Sequence, residues 1–217
     1  MKIGVFDSGI GGLSVTHAMR ASLPEHEIIF RNDSQHVPYG TKPAAEVLGY
    51  VLPILQSLVD DGCKLIVVAC NTVSTTLMQQ LRQQITVPLI AMEPMVRSAA
   101  ELTKTKIIAV CATPATLASD RYAWLKATYA SGLQVIEPDC SAWSSMIERN
   151  AVDHTAIARQ IGDVLNRGAD VIVLGCTHYH WIEEDVVRLT LGRARVIQPE
   201  QPVIRELQRQ IAAFTMG

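Results

Sequence analysis

The chain lacks the features that mark several large classes of protein. It carries 19 lysine and arginine residues against 21 aspartate and glutamate residues, so no excess of positive charge favours nucleic acid or an anionic membrane surface. Asp7 interrupts the first apolar run far too early for a signal peptide or a membrane span. We therefore expect a cytoplasmic protein that binds neither nucleic acid nor membrane.

The sequence also lacks the common metal and nucleotide motifs. Its five cysteines, an odd number, argue against a complete disulfide framework, and none of them has the CxxC or Cys/His spacing of a zinc site. The glycine-rich segment from Asp7 to Ser14 has neither the GxGxxG spacing nor the Gly-Lys-Ser/Thr ending of phosphate-binding loops. The sequence thus predicts free thiols, no metal and no cofactor.

Short apolar runs alternate along the chain with segments of helical periodicity. Val47, Val51 and Leu55, for example, recur at the spacing of one helix face. The apolar runs predict strands at Ile3 to Phe6, Glu27 to Phe30, Leu65 to Ala69, Val87 to Ala91, Ile107 to Val110, Leu133 to Ile136, Val171 to Leu174 and Arg195 to Ile197. This alternation is typical of βαβ units and a mostly parallel sheet.

The four early strands and the four late strands align under a single shift in numbering. Cys176 minus Cys70 is 106, and Asp139 minus Asp33 is also 106. A common offset over several elements indicates internal duplication, with chance alignment of two α/β halves as the alternative.

These patterns predict an α/β fold of two pseudo-symmetric, open, mostly parallel domains with an active-site cleft between them. The first domain would comprise residues 1–95, with residues 205–217 packing back on it, and the second would comprise residues 96–204. No glycine-rich or proline-rich linker separates the two, so we expect them to pack closely.

Two cysteines, Cys70 and Cys176, lie just past the carboxyl ends of corresponding strands, where open α/β sheets bind ligands. One thiolate can remove a proton from a carbon atom while a second thiol delivers a proton to the opposite face. A buried structural role is the simpler interpretation of an isolated cysteine, and we assign it to Cys63, Cys111 and Cys140. The matched positions and the polar residues that follow favour acid/base chemistry for Cys70 and Cys176.

Further polar residues follow the predicted strands. Asp7 could hold an ammonium group or help to move a proton, although a helix cap is equally consistent with its position. His178 suits either a proton relay beside Cys176 or a structural role. The other groups able to hold an amino or carboxylate group are the backbone at Gly40 and the side chains of Asn71, Thr72, Thr113, Thr116 and Thr177.

Taken together, the motifs resemble those of the glutamate racemases in the aspartate/glutamate racemase superfamily. The matching segments are Gly4 to Leu13, Val37 to Gly40, Ala69 to Thr72, Thr113 to Thr116 and Gly175 to Tyr179. The resemblance implies a cofactor-independent racemisation of glutamate that supplies D-glutamate for peptidoglycan. It also implies two similar α/β domains and, in many members, a homodimer.

Roles for individual residues follow from the same resemblance. Cys70 would act on D-glutamate with help from Asp7, and Cys176 would act on L-glutamate with help from His178. The positions that match substrate-binding residues of the family are Asp7, Ser8, Tyr39, Gly40, Asn71, Thr72, Thr177 and His178, with Thr113 and Thr116 as further candidates at a carboxylate of the substrate.

The chain also departs from the family pattern. His180 stands where proline is common, and Gln198-Pro199 stands where an Asp-Ser/Thr pair is common. Neither departure touches the cysteine pair, but both bear on substrate selectivity and dimer geometry. The alternatives to a glutamate racemase are a racemase of aspartate or another amino acid, and a weakly active homologue with a regulatory binding role.

Overall fold

Eight strands form two four-stranded sheets in the computed structural model, which describes residues 1–215. The first half contains β1 (Lys2–Asp7), α1 (Gly12–Ser22), β2 (Glu27–Asn32), a 3₁₀ turn (Tyr39–Thr41), α2 (Ala44–Asp60), β3 (Leu65–Val68), α3 (Asn71–Thr76), α4 (Met78–Gln84), β4 (Leu89–Ala91) and α5 (Val96–Leu102). The second half contains β5 (Ile107–Ala112), α6 (Pro114–Leu117), α7 (Asp120–Tyr129), β6 (Gln134–Ile136), α8 (Trp143–Glu148), α9 (His154–Asn166), β7 (Val171–Gly175), a 3₁₀ helix (Thr177–Ile182), α10 (Glu183–Thr190), β8 (Arg195–Ile197) and α11 (Glu200–Thr215). Within residues 1–215, no helix has the length and apolar character needed to cross a membrane.

Both sheets have the same strand order, and every neighbouring pair of strands is parallel. The orders are β2-β1-β3-β4 and β6-β5-β7-β8. Corresponding strands begin within one residue of the expected offset of 106. For example, β7 begins at Val171 and β3 at Leu65, and 171 minus 65 is 106. The starts of β8 and β4, Arg195 and Leu89, differ by 106 as well. The predicted α/β fold of two similar parallel halves is therefore confirmed.

Helices cover both faces of the first sheet, which explains why its central strand β3 is apolar at every position. Leu65 of β3 belongs to a buried cluster that includes Leu207 of α11 on one face of the sheet. The next residue, Ile66, belongs to a second cluster that includes Leu55 of α2 on the other face. Successive side chains of a strand point to opposite faces, so one short run of aliphatic residues contributes to both clusters.

The C-terminal helix α11 packs on the first sheet, although the chain reaches it only after completing the second. This packing agrees with the interpretation that residues 205–217 return to the first domain, and we retain residues 1–95 and 96–204 as proposed domain bounds. Residues 216 and 217 of that returning segment lie outside the described residues.

The two halves approach each other closely where the loop after β1 meets the 3₁₀ helix Thr177–Ile182. A Cβ atom added at Gly11 would lie 2.6 Å from the backbone nitrogen of His178 and 2.6 Å from Oγ1 of Thr177. Beside this contact, the indole nitrogen of Trp181 donates a hydrogen bond to the carbonyl of Ile10 over 3.3 Å. Glycine at position 11 therefore permits a backbone approach that any larger residue would prevent.

We predict that Gly11→Ala destabilises the protein, because the added methyl group meets backbone atoms of the other half that cannot rotate away. The expected loss in the free energy of unfolding is about 1 to 3 kcal/mol, measured by urea denaturation. Gly49→Ala is the matched control, since Gly49 lies inside α2 with no atom within 4 Å of the added Cβ. Alanine there should stabilise the helix by up to ~1 kcal/mol. Equal effects of the two substitutions would contradict the close contact at Gly11.

Candidate active site

A cavity of about 380 Å³ lies between the two halves, and its lining residues follow the carboxyl ends of strands from both sheets. It is lined by Ser8, Ser34, Val37, Pro38, Tyr39, Gly40, Cys70, Asn71, Thr72, Thr113, Ser144, Ser145, Glu148, Arg149, Cys176, Thr177 and His178. The shared position of both cysteines on this lining is the arrangement expected from the duplicated strand ends.

Two of the predicted site residues, Asp7 and Thr116, lie behind the cavity rather than on its lining. The fully buried carboxylate of Asp7 accepts hydrogen bonds from the backbone N–H groups of Gly9 (3.3 Å) and Gly12 (2.9 Å) and from the Thr177 hydroxyl (3.0 Å). Burial raises the pKa of Asp7, although these hydrogen bonds and the nearby His178 oppose the rise. Asp7 therefore joins the two halves directly beneath the cavity.

Thr116 supports a second link between the halves. The hydroxyl groups of Thr72 and Thr113, which come from different halves, lie 2.9 Å apart on the cavity lining. Thr113 in turn donates to the hydroxyl of the fully buried Thr116 over 3.0 Å. Thr116 thus acts from behind Thr113, whereas Thr72 and Thr113 face the cavity.

Cys70 lies two residues past the end of β3 and directly precedes α3. Its thiol donates a hydrogen bond to the hydroxyl of Ser8 over 3.5 Å. Burial raises the pKa of Cys70 to about 12, and the negative charge of Asp7 contributes to the rise. Cys70 is therefore a protonated thiol at neutral pH, and a cationic group bound beside it would lower its pKa.

Cys176 has a different electrostatic environment at the end of β7. Its sulfur lies 3.4 Å from the hydroxyl of Ser144 and 3.8 Å from Nδ1 of His178. The other ring nitrogen of His178 lies 2.6 Å from a carboxylate oxygen of Glu148. Burial alone lowers the pKa of His178, but the hydrogen bonds to Cys176 and Glu148 outweigh it and raise this pKa to about 10. The imidazole is therefore protonated at neutral pH and places a positive charge beside the sulfur of Cys176.

Glu148 holds His178 in place and also contacts the first half of the chain. Its Oε2 accepts a hydrogen bond from the backbone N–H of Ile10 over 3.2 Å. Burial on its own raises the pKa of Glu148, but the hydrogen bonds from His178 and Ile10 lower it overall. The carboxylate therefore stays charged and fixes the orientation of the imidazole.

The cavity also contains polar groups with unused hydrogen-bonding capacity. Neither Oδ1 nor Nδ2 of the buried Asn71 has a hydrogen-bond partner among residues 1–215. Buried amide groups are almost always paired, so both atoms of this side chain are available to a bound polar molecule. Tyr39 is already engaged, because its hydroxyl donates to Asp33 over 2.6 Å and burial raises its pKa further above the ordinary range.

Arg149 adds a fixed positive charge to the lining. Its Nε donates to the backbone carbonyl of Ser145 over 3.2 Å, and within the described part of the chain the exposed guanidinium forms no ion pair. Glu148 is already paired with His178. An anionic group bound in the cavity would therefore find an unpaired guanidinium.

The segment that follows β6 was not predicted to contribute to the site. It supplies Ser144, Ser145, Glu148 and Arg149 from α8 and its end, and no motif distinguishes them in the sequence. The sequence signal that could have pointed to this segment is the offset of 106 residues between the two halves. It aligns Ser144 and Ser145 with Pro38 and Tyr39, which also lie on the cavity lining.

The remaining cysteines and the atypical His180 lie away from the cavity lining. Cys63, Cys111 and Cys140 are buried in hydrophobic clusters, in keeping with their predicted structural role. Nδ1 of His180 lies 3.0 Å from the hydroxyl of Ser14, at the contact between α1 and the 3₁₀ helix. Burial and the neighbouring His178 lower the pKa of His180 to about 4, so this imidazole is neutral at physiological pH.

Comparison with known proteins agrees with the architecture and the site. The family model for Asp/Glu/hydantoin racemases matches residues 3–207. The chain is 36% identical to a glutamate racemase of Ralstonia nicotianae, over 97% of this chain and 78% of that protein. A glutamate racemase of Herpetosiphon aurantiacus is 37% identical, over 97% of this chain and 85% of that protein.

Two similar solved structures are also glutamate racemases. The structure of Escherichia coli glutamate racemase with L-glutamate and the activator UDP-MurNAc-Ala superposes with a TM-score of 0.86 at 28% identity, over 95% of this chain and 80% of that one. Glutamate racemase of Francisella tularensis with D-glutamate superposes with a TM-score of 0.81 at 29% identity, over 99% and 81%.

The fold of two parallel α/β halves is shared with glutamate racemases of known structure. The chain belongs to the Asp/Glu/hydantoin racemase family, which confirms the resemblance seen in the sequence. It is an amino-acid racemase, an enzyme of the isomerase class.

We predict that the contribution of His178 to stability declines as the pH rises. A histidine whose pKa is raised from 6.5 to about 10 in the folded protein contributes stability that is fully present below pH 6.5 and lost as the pH approaches 10. The free energy of unfolding of the wild type, relative to His178→Gln, should therefore fall by up to ~1.4 kcal/mol per pH unit across this range. Denaturant titrations at several pH values would measure this difference. A difference that grows with pH would refute a protonated His178.

Proposed function

We propose that this enzyme interconverts L-glutamate and D-glutamate by a cofactor-independent, two-base proton transfer at the α-carbon. The observation that carries the proposal is that Cys70 and Cys176, one from each half, line the same cavity. The names of the relatives, which are glutamate racemases, support glutamate as the substrate.

In the direction from L-glutamate, the Cys176 thiolate takes the α-proton and becomes a thiol. The Cys70 thiol then donates its proton to the opposite face of the carbanion and becomes a thiolate, which leaves D-glutamate. Each sulfur needs to lie about 3 to 3.5 Å from the α-carbon for such a transfer. The high pKa of Cys70 and the protonated His178 beside Cys176 support a starting state with one thiol and one thiolate.

The reverse direction requires a thiolate at Cys70. The substrate ammonium group supports this state when it binds near Cys70 and Asp7, because a positive charge there offsets the burial and the carboxylate that raise the pKa of Cys70. Asp7 would assist from behind the lining in a different way, because its carboxylate attracts the substrate ammonium group to the side of Cys70.

The charges of glutamate match the polar groups of the cavity. We assign its α-carboxylate to the unpaired amide of Asn71 and to the hydroxyl pair of Thr72 and Thr113. The unpaired guanidinium of Arg149 supports recognition of a second carboxylate, which favours an acidic amino acid over a neutral one.

The remaining parts of the proposal follow from the family. D-glutamate would enter peptidoglycan, and the enzyme would act as a homodimer. A mechanism that uses two free thiols also requires a reducing compartment, which supports a cytoplasmic location.

Circular dichroism of L- and D-glutamate incubated with the purified enzyme tests this proposal. We expect loss of optical activity from either enantiomer, unaffected by dialysis against a chelator and by the absence of pyridoxal phosphate. Faster racemisation of aspartate would favour the related racemase instead. No turnover of any amino acid would favour a regulatory homologue, and either result would overturn the proposal.

We predict that Cys70→Ser and Cys176→Ser each abolish racemisation, since a hydroxyl is a far weaker acid than a thiol. Each variant keeps one thiol, so it can still remove the α-proton from one enantiomer of an analogue that loses a β leaving group. Elimination by Cys176→Ser should be greater on the D analogue, and elimination by Cys70→Ser should be greater on the L analogue. Equal losses on both analogues in both folded variants would rule out one base per face.

We predict that Arg149→Gln raises KM for glutamate by roughly tenfold, because the variant loses one charge-assisted contact with the substrate. Since enantiomers have equal free energies, kcat/KM must fall by the same factor in both directions. Arg167→Gln, which removes an exposed guanidinium paired with Asp163 on α9, is the control and should leave KM unchanged. An unchanged KM for glutamate in Arg149→Gln would show that the guanidinium does not contact the substrate.

A further inference from the structure

Each of the two cavity thiols contacts one buried serine hydroxyl, but only one of these serines belongs to a predicted motif. Ser8 follows β1 and lies 3.5 Å from the sulfur of Cys70. Ser144 lies near the start of α8, and its hydroxyl is 3.4 Å from the sulfur of Cys176. The relative exposures of Ser144 and Cys176 are 6% and 7%, so bulk water competes little for this contact.

We propose that Ser144 is a positioning residue that donates a hydrogen bond to the Cys176 thiolate in the step where Cys176 acts as the base. The proposal rests on the two-base mechanism described above. Ser144 does not transfer a proton in this step. Its hydroxyl keeps its hydrogen, and the α-proton of the substrate passes to the sulfur of Cys176.

The donor role follows from the neighbours of the hydroxyl. Ser144 has a second acceptor within reach, the hydroxyl oxygen of Tyr179, whose own hydrogen is donated to the carbonyl of Cys140 over 3.0 Å. A serine hydroxyl rotates freely about its C–O bond. When Cys176 is ionised, its sulfur is the charged acceptor and therefore the stronger of the two.

The other titratable groups around Cys176 complement Ser144 and do not replace it. His178 contributes the positive charge from the 3₁₀ helix, with Glu148 of α8 behind it. Tyr179, Cys140 and Cys70 also face this sulfur, and none of them carries a positive charge. Ser144 is therefore the second donor, and it approaches from a different element. Hydrogen bonds from Ser144 on α8 and from His178 on the 3₁₀ helix together fix the orientation of the Cys176 sulfur.

The ionisation of Cys176 can be measured without racemisation. In a Cys70→Ser background, the pH dependence of iodoacetamide alkylation at Cys176 is followed by mass spectrometry of the peptide that contains it. We expect Ser144→Ala to raise the midpoint by about one pH unit, because the thiolate loses a hydrogen-bond donor. Ser144→Thr keeps the hydroxyl and should retain most of the wild-type midpoint.

Ser145→Ala is the matched control, because Ser145 also lines the cavity but, within residues 1–215, its side chain forms no hydrogen bond with either sulfur. It should leave the Cys176 midpoint unchanged. Near-ultraviolet circular dichroism and the urea midpoint establish that each variant is folded. An unchanged midpoint in folded Ser144→Ala, or an equal shift in Ser145→Ala, would overturn the role of Ser144.

Elimination kinetics test whether the role is specific for one face. Ser144→Ala should slow elimination from the L analogue in the Cys70→Ser background by roughly tenfold, and leave elimination from the D analogue in the Cys176→Ser background unchanged. Equal slowing of both would overturn the proposal. If the wild type does not racemise glutamate, the proposed function is wrong. The alkylation midpoint is measured without glutamate, so it tests the role of Ser144 separately.

Discussion

The hydrogen bond from the Thr177 hydroxyl to the buried carboxylate of Asp7 joins the two halves beside the two thiols. Asp7 immediately precedes Ser8, which contacts Cys70, and Thr177 immediately follows Cys176. This bond therefore links the end of β1 to the residue that follows β7 and Cys176. Since the Asp7 carboxylate is fully buried, loss of the Thr177 donor would leave a buried acceptor underpaired at considerable cost. The close approach at Gly11 allows this bond to form.

A duplicated backbone carries two thiols in different electrostatic environments. Cys70 lies beside the carboxylate of Asp7, which adds to the effect of burial and holds the pKa of this thiol at about 12. Cys176 lies beside His178, whose positive charge is maintained by Glu148. In the mechanism we propose, this difference sets two chemically identical groups apart as acid and base, as in other enzymes that assign roles through environment. The symmetry of the fold places one cysteine from each half on the cavity lining, and the asymmetry of the neighbouring side chains gives the two cysteines different surroundings.

Much of this arrangement was predictable from the sequence, for definite physical reasons. Strands buried on both faces, such as Leu65–Val68, read as continuous apolar runs, and the motifs at Cys70 and Cys176 mark the ends of two of them. The role of Asp7 was ambiguous. Its bonds to the N–H groups of Gly9 and Gly12 are those of a cap, and its bond to Thr177 depends on tertiary structure.

The contribution of α8 could not be read from local sequence. Ser144 and Glu148 lie on a short helix without a motif, and their partners Cys176 and His178 are about 30 residues away in the chain. Only the internal duplication points to this segment, since 144 minus 106 is 38 and Pro38 lies on the cavity lining. The duplication predicts where the backbone goes, but it does not predict which side chains the second copy carries.

The fate of solvent deuterium at the α-carbon tests the two-base mechanism most directly. L-glutamate is incubated with the enzyme in D₂O, and the two enantiomers are separated and analysed by mass spectrometry during the first few per cent of conversion. With one thiol on each face, the D-glutamate formed should carry deuterium at the α-carbon, while the remaining L-glutamate keeps its original proton. Deuterium entering L-glutamate as fast as D-glutamate, or protium retained in the product, would mean that a single base serves both faces and would contradict the account.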